Sequence, residues 1–249
     1  MRRSLIAGLF AALAAFVAAL PASAADVQVA VAANFTEPAK EIAAAFQART
    51  GHHAILSFGS SGQFYTQITQ GAPFEVFLSA DPDRPKRIEQ EGLGVPGSRF
   101  TYAIGQLVLW SKTPGLAVGP GVLSRGGFNK LSIADPAAAP YGVAAVQTMT
   151  KLGVYAKLAP KIVKGASITQ AYQFVQSGAA ELGFVALSQV ISDRSGSRWA
   201  VPASLHAPID QQAILLWKGD KDAAARAFLQ FLKGPEALAI IRRYGYEAR

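Results

Sequence analysis

Cysteine is absent from the chain, and histidine occurs only at positions 52, 53 and 206. The lack of cysteine excludes a disulfide framework, Cys-ligated zinc, iron–sulfur clusters, thiol nucleophiles and a lipid anchor on cysteine. Three imidazoles, two of them adjacent, argue against a multi-histidine metal centre. A function built on directly coordinated metal or on thiol chemistry is therefore not expected.

Charged residues are also scarce, at 16% of the 249 residues against about a quarter in an ordinary soluble protein. The 24 basic side chains outnumber the 16 acidic ones and give a formal charge of +8, but they are scattered along the chain. Nucleic-acid binding needs clustered basic residues, so a solvated basic surface with mild attraction for small anions is the better interpretation. A hydrophobic content of 51% excludes a disordered chain.

Long apolar runs are missing except at the amino terminus. Arg2 and Arg3 precede an uncharged stretch at 5–20, and small residues at 21–25 follow it. This order is typical of a secretory signal peptide, and the stretch is shorter than the roughly 20 residues that a membrane span needs. We expect residues 1–25 to be removed on export to the periplasm. Loss of the two arginines then lowers the formal charge from +8 to +6.

The rest of the sequence alternates between strand and helix patterns. Val27, Val29 and Val31 alternate with Gln28 and Ala30, which indicates a strand. The helices are expected at 38–49, 63–70, 82–90, 142–152, 168–177, 222–233 and 235–244, and further strands at 54–58, 75–79, 131–134, 162–163, 182–186 and 212–217. Such alternation implies largely parallel sheets covered by helices. An eleven-residue β-prone stretch at 100–110 interrupts this alternation. We expect two α/β lobes, joined near 100–105 and again near 208–212.

Hydrogen-bond donors occur at four junctions between a strand and the following helix, where parallel sheets usually bind ligands. The junctions are 32–38 with Asn34, 58–62 with Ser61, 140–142 with Tyr141, and 165–168 with Ile168. Any one of them alone is best explained as a helix cap. Together they offer hydroxyls, an Asn34 side-chain amide and helix N-termini, with no acid or base among these donors. Such a set favours binding of an anion.

Two segments resemble catalytic or cofactor-binding motifs, but each lacks a feature that its motif requires. The turn 59–62 resembles a nucleophile elbow, but Gln63 stands where G-x-S-x-G requires glycine. The segment 92–97 satisfies G-x-G-x-x-G, yet it follows a helix and has Pro96 where a helix should begin, so a loop is expected. A serine hydrolase using Ser61 is the alternative from another class, and it lacks a convincing base. No enzyme activity and no cofactor are therefore expected.

Several ordered segments resemble the periplasmic molybdate-binding proteins of bacterial ABC transporters. They are Val29–Phe35, Phe58–Gly62, Gly71–Asp81, Thr101–Gly105, Lys233–Ala237 and Arg243–Tyr246. The resemblance implies a two-lobed type II periplasmic-binding-protein fold, with mixed sheets covered by helices and the ligand in the cleft between the lobes. Lobe 1 would comprise residues 26–104 and 211–249, and lobe 2 residues 105–210. The implied protein is an exported monomer that captures molybdate or tungstate and delivers it to a membrane permease.

The resemblance also implies which residues contact the oxyanion. Asn34 and Ser61 match the side-chain donors of the first two junctions, and Tyr141 and Ile168 match backbone amide donors of the other two. Some family members use a tyrosine where this chain has Ala186. Either Asn34 or the Tyr141 hydroxyl replaces the contact that this tyrosine makes, or this chain lacks one contact to the oxyanion. A sulfate or other oxyanion binder is the alternative within the same class. Molybdenum would be held only as its oxyanion, without direct coordination by the protein.

The expected export gives the first prediction. Protein isolated from its native envelope fraction should begin at Ala25 or Asp26, because the small residues at 21–25 form the cleavage site. Mass spectrometry of the intact protein measures this. Cytosolic protein that retains Met1 would contradict it.

Overall fold

The computed structural model describes residues 24–113, 115–116 and 118–248, so nearly all of the expected signal peptide lies outside the described residues. The strands are β1 (Asp26–Ala32), β2 (His53–Gly59), β3 (Val76–Ser79), β4 (Phe100–Gly105), β5 (Leu107–Ser111), β6 (Leu131–Ala134), β7 (Ile162–Gly165), β8 (Leu182–Ala186), β9 (Ser197–Ala200) and β10 (Ile209–Leu215). The helices are α1 (Thr36–Thr50), α2 (Ser61–Thr69), α3 (Asp83–Gln90), α4 (Pro120–Arg125), α5 (Pro140–Lys151), α6 (Tyr155–Leu158), α7 (Ile168–Gln176), α8 (Leu187–Val190), α9 (Ala223–Leu232) and α10 (Pro235–Arg243).

The strands form two mixed sheets of the same plan. The first has the order β2-β1-β3-β10-β4 and the second β7-β6-β8-β5-β9. In each sheet the first three strands run parallel to one another. The fourth strand in the order is antiparallel to both of its neighbours, the third and the fifth. We call the first sheet with α1–α3, α9 and α10 the first lobe, and the second sheet with α4–α8 the second lobe. The expected two-lobed α/β fold is confirmed.

Apolar periodicity explains the pairing of β1 with α1. Val27, Val29 and Val31 of the strand are fully buried in one cluster with Ile42 and Phe46 of the helix. The alternating strand pattern and the helical spacing therefore meet at one interface, as each pattern predicts. The helix ends at Gly51, whose φ of 77° is the left-handed cap expected there.

The β-prone stretch 100–110 forms two strands rather than one continuous strand. Gln106 separates β4, which pairs with β10 in the first sheet, from β5, which pairs with β8 and β9 in the second. Both strands are rich in β-prone residues, so the sequence pattern alone does not mark where the first strand ends and the second begins. Four short elements were also missed, namely α4, α6, α8 and β9. With four to six residues each, they are too short for periodicity to reveal.

Glycine is required at the first crossing between the sheets. A Cβ added to Gly105 would lie 2.1 Å from Tyr141 Oη and 2.7 Å from Gln211 Nε2. Both side chains are almost fully buried and cannot move aside into solvent. The chain thus passes from one lobe to the other at a point where only a bare backbone fits.

Among the described residues, none of the helices combines the length and apolarity needed to cross a bilayer.

The packing at Gly105 gives the second prediction. Gly105→Ala should lower the free energy of unfolding by about 1–3 kcal/mol, because the added methyl overpacks a filled space. Gly127→Ala is the control, since its Cβ would meet no described heavy atom within 4 Å. The control should be neutral or slightly stabilising. Urea unfolding of both variants measures the difference, and equal stabilities would contradict the prediction.

Candidate functional site

A small cavity lies between the lobes, at the carboxyl ends of the parallel strands. Its volume is about 10 Å³, and its lining residues are Ala32, Ala33, Asn34, Ser60, Ser61, Ala80, Ala139, Pro140, Tyr141 and Ile168. The four residues predicted from the sequence, Asn34, Ser61, Tyr141 and Ile168, all line it. The structure brings them together from three helix starts and one 3₁₀ turn. Their contact with a ligand stays a prediction.

The start of α2 contributes the Ser61 hydroxyl. Its oxygen accepts a hydrogen bond from the Ala80 N–H at 2.9 Å, and Ser61 is only 1% exposed. Since a hydroxyl carries one donor and two acceptor positions, this contact occupies an acceptor and leaves the proton to be donated. The neighbouring Ser60 caps the helix by exchanging hydrogen bonds with Gln63. The Gly62 N–H donates across the cleft to the Ala138 carbonyl at 2.9 Å. None of these contacts uses the Ser61 N–H or O–H, so both donors of this turn remain for a ligand.

The sequence predicts that the Asn34 side-chain amide donates to a ligand, but in the structure this amide bonds to other residues of the protein. Its side-chain nitrogen donates to Gln211 Oε1 at 2.8 Å and to Tyr246 Oη at 3.0 Å. An amide nitrogen has two protons, so these two acceptors use both of them. Asn34 lies in the 3₁₀ turn Ala33–Phe35, where the first N–H groups have no partner within the turn. We therefore expect its backbone N–H, rather than its side chain, to be the donor that Asn34 offers to a ligand.

Tyr141 and Ile168 lie at the starts of α5 and α7. The Tyr141 hydroxyl accepts from Gln211 Nε2 at 3.3 Å, and Gln211 is not among the residues that line the cavity. This geometry favours the backbone N–H of Tyr141, rather than its hydroxyl, as the group facing the cavity. At α7, Ser167 Oγ caps the helix by accepting from the Gln170 N–H, and Ile168 is the first helical residue. Its N–H, like that of Tyr141, belongs to the first helical turn and lacks an intrahelical partner.

Charge at the cavity comes from helix ends and not from ionised side chains. None of the described residues that line it is a carboxylate, imidazole, ammonium or guanidinium group. The Asp81–Arg84 ion pair stands at the edge of the cleft, where Arg84 Nη2 also donates to the Ala137 carbonyl at 3.3 Å. Each helix N-terminus carries about half a positive charge, so the converging starts favour an anion.

A buried polar cluster behind the cavity was missed by sequence reasoning. It consists of Tyr102, Ser188, Gln211 and Tyr246 together with the side chains of Asn34 and Tyr141. Gln211 is fully buried in the middle of β10. A buried glutamine in a mostly apolar strand is a detectable irregularity, but the sequence does not reveal its partners.

Burial keeps the tyrosines of this cluster neutral. It raises the pKa of the Tyr246 hydroxyl to about 12, although hydrogen bonds with Ser188 and Asn34 act in the opposite direction. Burial also raises the pKa of Tyr102 and of Tyr141 well above 10. The cluster is therefore a set of uncharged hydrogen-bonding groups at physiological pH.

Features of a hydrolase or a metal site are weak in the described part of the chain. The hydrogen bond made by Ser61 Oγ joins it to a backbone N–H and not to a basic side chain. The described residues contain no cluster of three or more His, Cys, Asp or Glu side chains placed to hold a metal ion. His52 Nδ1 accepts a hydrogen bond from the Ala25 N–H at 3.2 Å. This contact lies at the amino end of β1, whereas the cavity lies at its carboxyl end. The geometry supports binding of an anion rather than covalent chemistry on Ser61.

Comparisons with known proteins agree with this architecture. A sequence model of the family described as bacterial extracellular solute-binding protein matches residues 27–247. The molybdate-binding protein ModA of Rhodobacter capsulatus is 60% identical over 228 residues, 92% of this chain and 90% of that protein. ModA of Azotobacter vinelandii is 55% identical over 242 residues, 96% of each. The solved periplasmic molybdate-binding protein of Azotobacter vinelandii matches with a TM-score of 0.86 and 44% identity, over 90% of this chain and 99% of that one.

The tyrosine cluster gives the third prediction. In the folded state Tyr246 keeps its proton up to about pH 12, whereas an unfolded tyrosine loses it near pH 10. The folded state then binds more protons, so the free energy of unfolding should fall as pH rises from about 10 to 12. Urea unfolding at several pH values measures the slope, which should be shallower in Tyr246→Phe. An unchanged slope would contradict the assignment.

Proposed function

This chain belongs to the bacterial extracellular solute-binding protein family, and we propose that it captures molybdate in the cavity between its lobes. It delivers the oxyanion to the permease of an ABC transporter for uptake. It acts as a monomer in the periplasm, where the segment 1–25 directs it. It catalyses no reaction and carries no cofactor.

The observation that carries this proposal is a cavity lined by donors without an ionised side chain. A tetrahedral dianion such as molybdate has no proton near neutral pH, so every oxygen is an acceptor. The Ser61 hydroxyl and the helix-start N–H groups are all donors. Monohydrogen phosphate, in contrast, would gain from a carboxylate acceptor, and the described lining residues include none.

The contacts follow from the donors that the protein does not use itself. We assign the Ser61 hydroxyl and backbone N–H, and the backbone N–H groups of Asn34, Tyr141 and Ile168, to the anion. Hydrogen bonds to a charged group contribute about 1.5–3 kcal/mol each. Neutral donors also avoid the cost of burying a counter-charge. Tungstate has the same charge and shape and fits the same donors.

The fourth prediction tests both the ligand and the Ser61 contact. Calorimetric titration of the exported, purified protein with molybdate, tungstate, sulfate and phosphate should give the tightest binding for molybdate or tungstate. Ser61→Ala should weaken molybdate binding about tenfold to a hundredfold, because it removes one charge-assisted donor. Lys86→Gln is the control, since Lys86 is exposed and its charge is screened over about 8 Å at physiological salt.

Three results would contradict the proposal. Tighter binding of sulfate than of molybdate would assign the site to another oxyanion. Unchanged molybdate affinity in Ser61→Ala, together with a loss in Lys86→Gln, would mean that surface charge and not this cavity holds the ligand. Ester hydrolysis that disappears in Ser61→Ala would favour the hydrolase alternative.

A further inference from the structure

Three oxygen atoms form a hydrogen-bonded triangle across the cleft between the lobes. The Asn34 carbonyl lies 2.8 Å from Ser188 Oγ and 2.7 Å from Tyr246 Oη, and the two hydroxyls are 2.9 Å apart. Asn34 and Tyr246 belong to the first lobe, and Ser188 lies on α8 in the second. All three residues are buried. Ser188 and Tyr246 are not among the residues that line the cavity.

The two hydroxyl protons of the triangle determine which residue donates a hydrogen bond from one lobe to the other. The triangle contains two hydroxyl protons, one on Ser188 and one on Tyr246, and the Asn34 carbonyl only accepts. If Tyr246 donates to the carbonyl, Ser188 donates either to the same carbonyl or to Tyr246 Oη. If Tyr246 donates to Ser188, then Ser188 donates to the carbonyl. In each arrangement Ser188 donates from the second lobe to an oxygen of the first.

The triangle also fixes the residue that faces the cavity. Asn34 is held at its carbonyl by this triangle and at its side chain by Gln211 and Tyr246. These contacts hold the position of Asn34, and the peptide plane that contains its N–H is held at the Ala33 carbonyl, which accepts from Thr36 and Thr169. Ser188 therefore acts on the candidate site through Asn34, without contact with the cavity.

Entry of a ligand requires these contacts to break. Nine of the ten residues that line the cavity are buried. An anion therefore enters or leaves only when the lobes separate, which is a hinge motion of two bodies joined by few crossings. The hydrogen bond that Ser188 donates is one of several between the lobes. The others include those from Gly62 to Ala138, from Thr169 to Ala33, from Gln211 to Tyr141 and from Arg84 to Ala137.

We propose that Ser188 is a positioning residue that latches the lobes over the bound oxyanion and sets how long the anion stays, without selecting which anion binds. The proposal rests on the function proposed above. Because Ser188 does not line the cavity, its contribution is the same for every anion that the cavity admits. With the lobes apart, its hydroxyl can exchange the same hydrogen bond for one to water, so the latch contributes to the closed state alone.

The test compares three conservative variants of the exported, purified protein. Ser188→Ala removes the latching hydroxyl, and Ser188→Thr keeps a hydroxyl at the same position. Ser177→Ala is the matched control, because its hydroxyl bonds the Phe174 carbonyl of its own helix, 3.4 Å away, and does not span the cleft. Stopped-flow measurement gives the release rates of molybdate and tungstate, and calorimetry gives their affinities and that of sulfate.

In Ser188→Ala, molybdate release should be about three- to tenfold faster, which corresponds to the loss of one ordinary hydrogen bond. The affinities for all three anions should fall by the same factor. The thermal midpoint measured without anion should stay at the wild-type value. Ser188→Thr should restore slow release, and Ser177→Ala should behave as wild type.

Distinct results separate failure of the latch from failure of the proposed function. If the wild-type protein binds none of the three anions, the proposed function fails and the latch fails with it. If wild type binds and Ser188→Ala releases molybdate at the wild-type rate, the latch alone is wrong. A lower midpoint without anion, matching the loss of affinity, would make Ser188 a purely structural residue. A changed ratio of anion affinities would show that it selects the anion. Either result overturns the proposal.

Discussion

The fold depends on satisfying the N–H groups of helix starts that are buried against one another. A buried donor without a partner costs about 1–3 kcal/mol, and three helix starts and one 3₁₀ turn meet between the two lobes. Ser60 and Ser167 cap two of them, and the Ala138 carbonyl accepts from Gly62 across the cleft. The donors that these contacts leave unused belong to residues that line one cavity. An acidic side chain there would satisfy them permanently. Without one, an anion from outside can complete the arrangement.

The polar cluster behind the cavity makes this arrangement rigid without adding charge. Asn34 uses its side chain for Gln211 and Tyr246, and Gln211 in turn reaches Tyr102 and Tyr141. Ionised groups at these positions would incur a large desolvation cost, whereas amides and protonated phenols satisfy one another. The Asp81–Arg84 ion pair stays at the rim of the cleft, where water partly solvates it. Neutral hydrogen bonding thus orients the backbone donors, and helix ends supply the positive potential.

The shared plan of the two sheets places these groups opposite one another. Each sheet has three parallel strands whose carboxyl ends open toward the cleft, and antiparallel strands that carry the chain onward. The chain crosses at Gln106 and again between β9 and β10, so the lobes are connected at few points.

Much of the secondary structure was predictable from the sequence. Strands β6 and β8 have the predicted bounds, and α1, α7, α9 and α10 differ from theirs by three residues or fewer, because their apolar periodicity matches the element they form. The lobe boundaries at 104/105 and 210/211 stay predictions.

The sequence by itself determined the alternating α/β order, the four donor-rich helix starts and the scarcity of charge around them, since each is a local property of neighbouring residues. The tertiary structure decided what each donor does. Asn34 gives its side chain to residues 177 and 212 positions away, so its backbone N–H is the donor that we assign to the anion. Ser188 reaches the Asn34 carbonyl across 154 positions. A hydrogen bond depends on the distance and direction between two atoms in space, and the order of residues along the chain does not specify either.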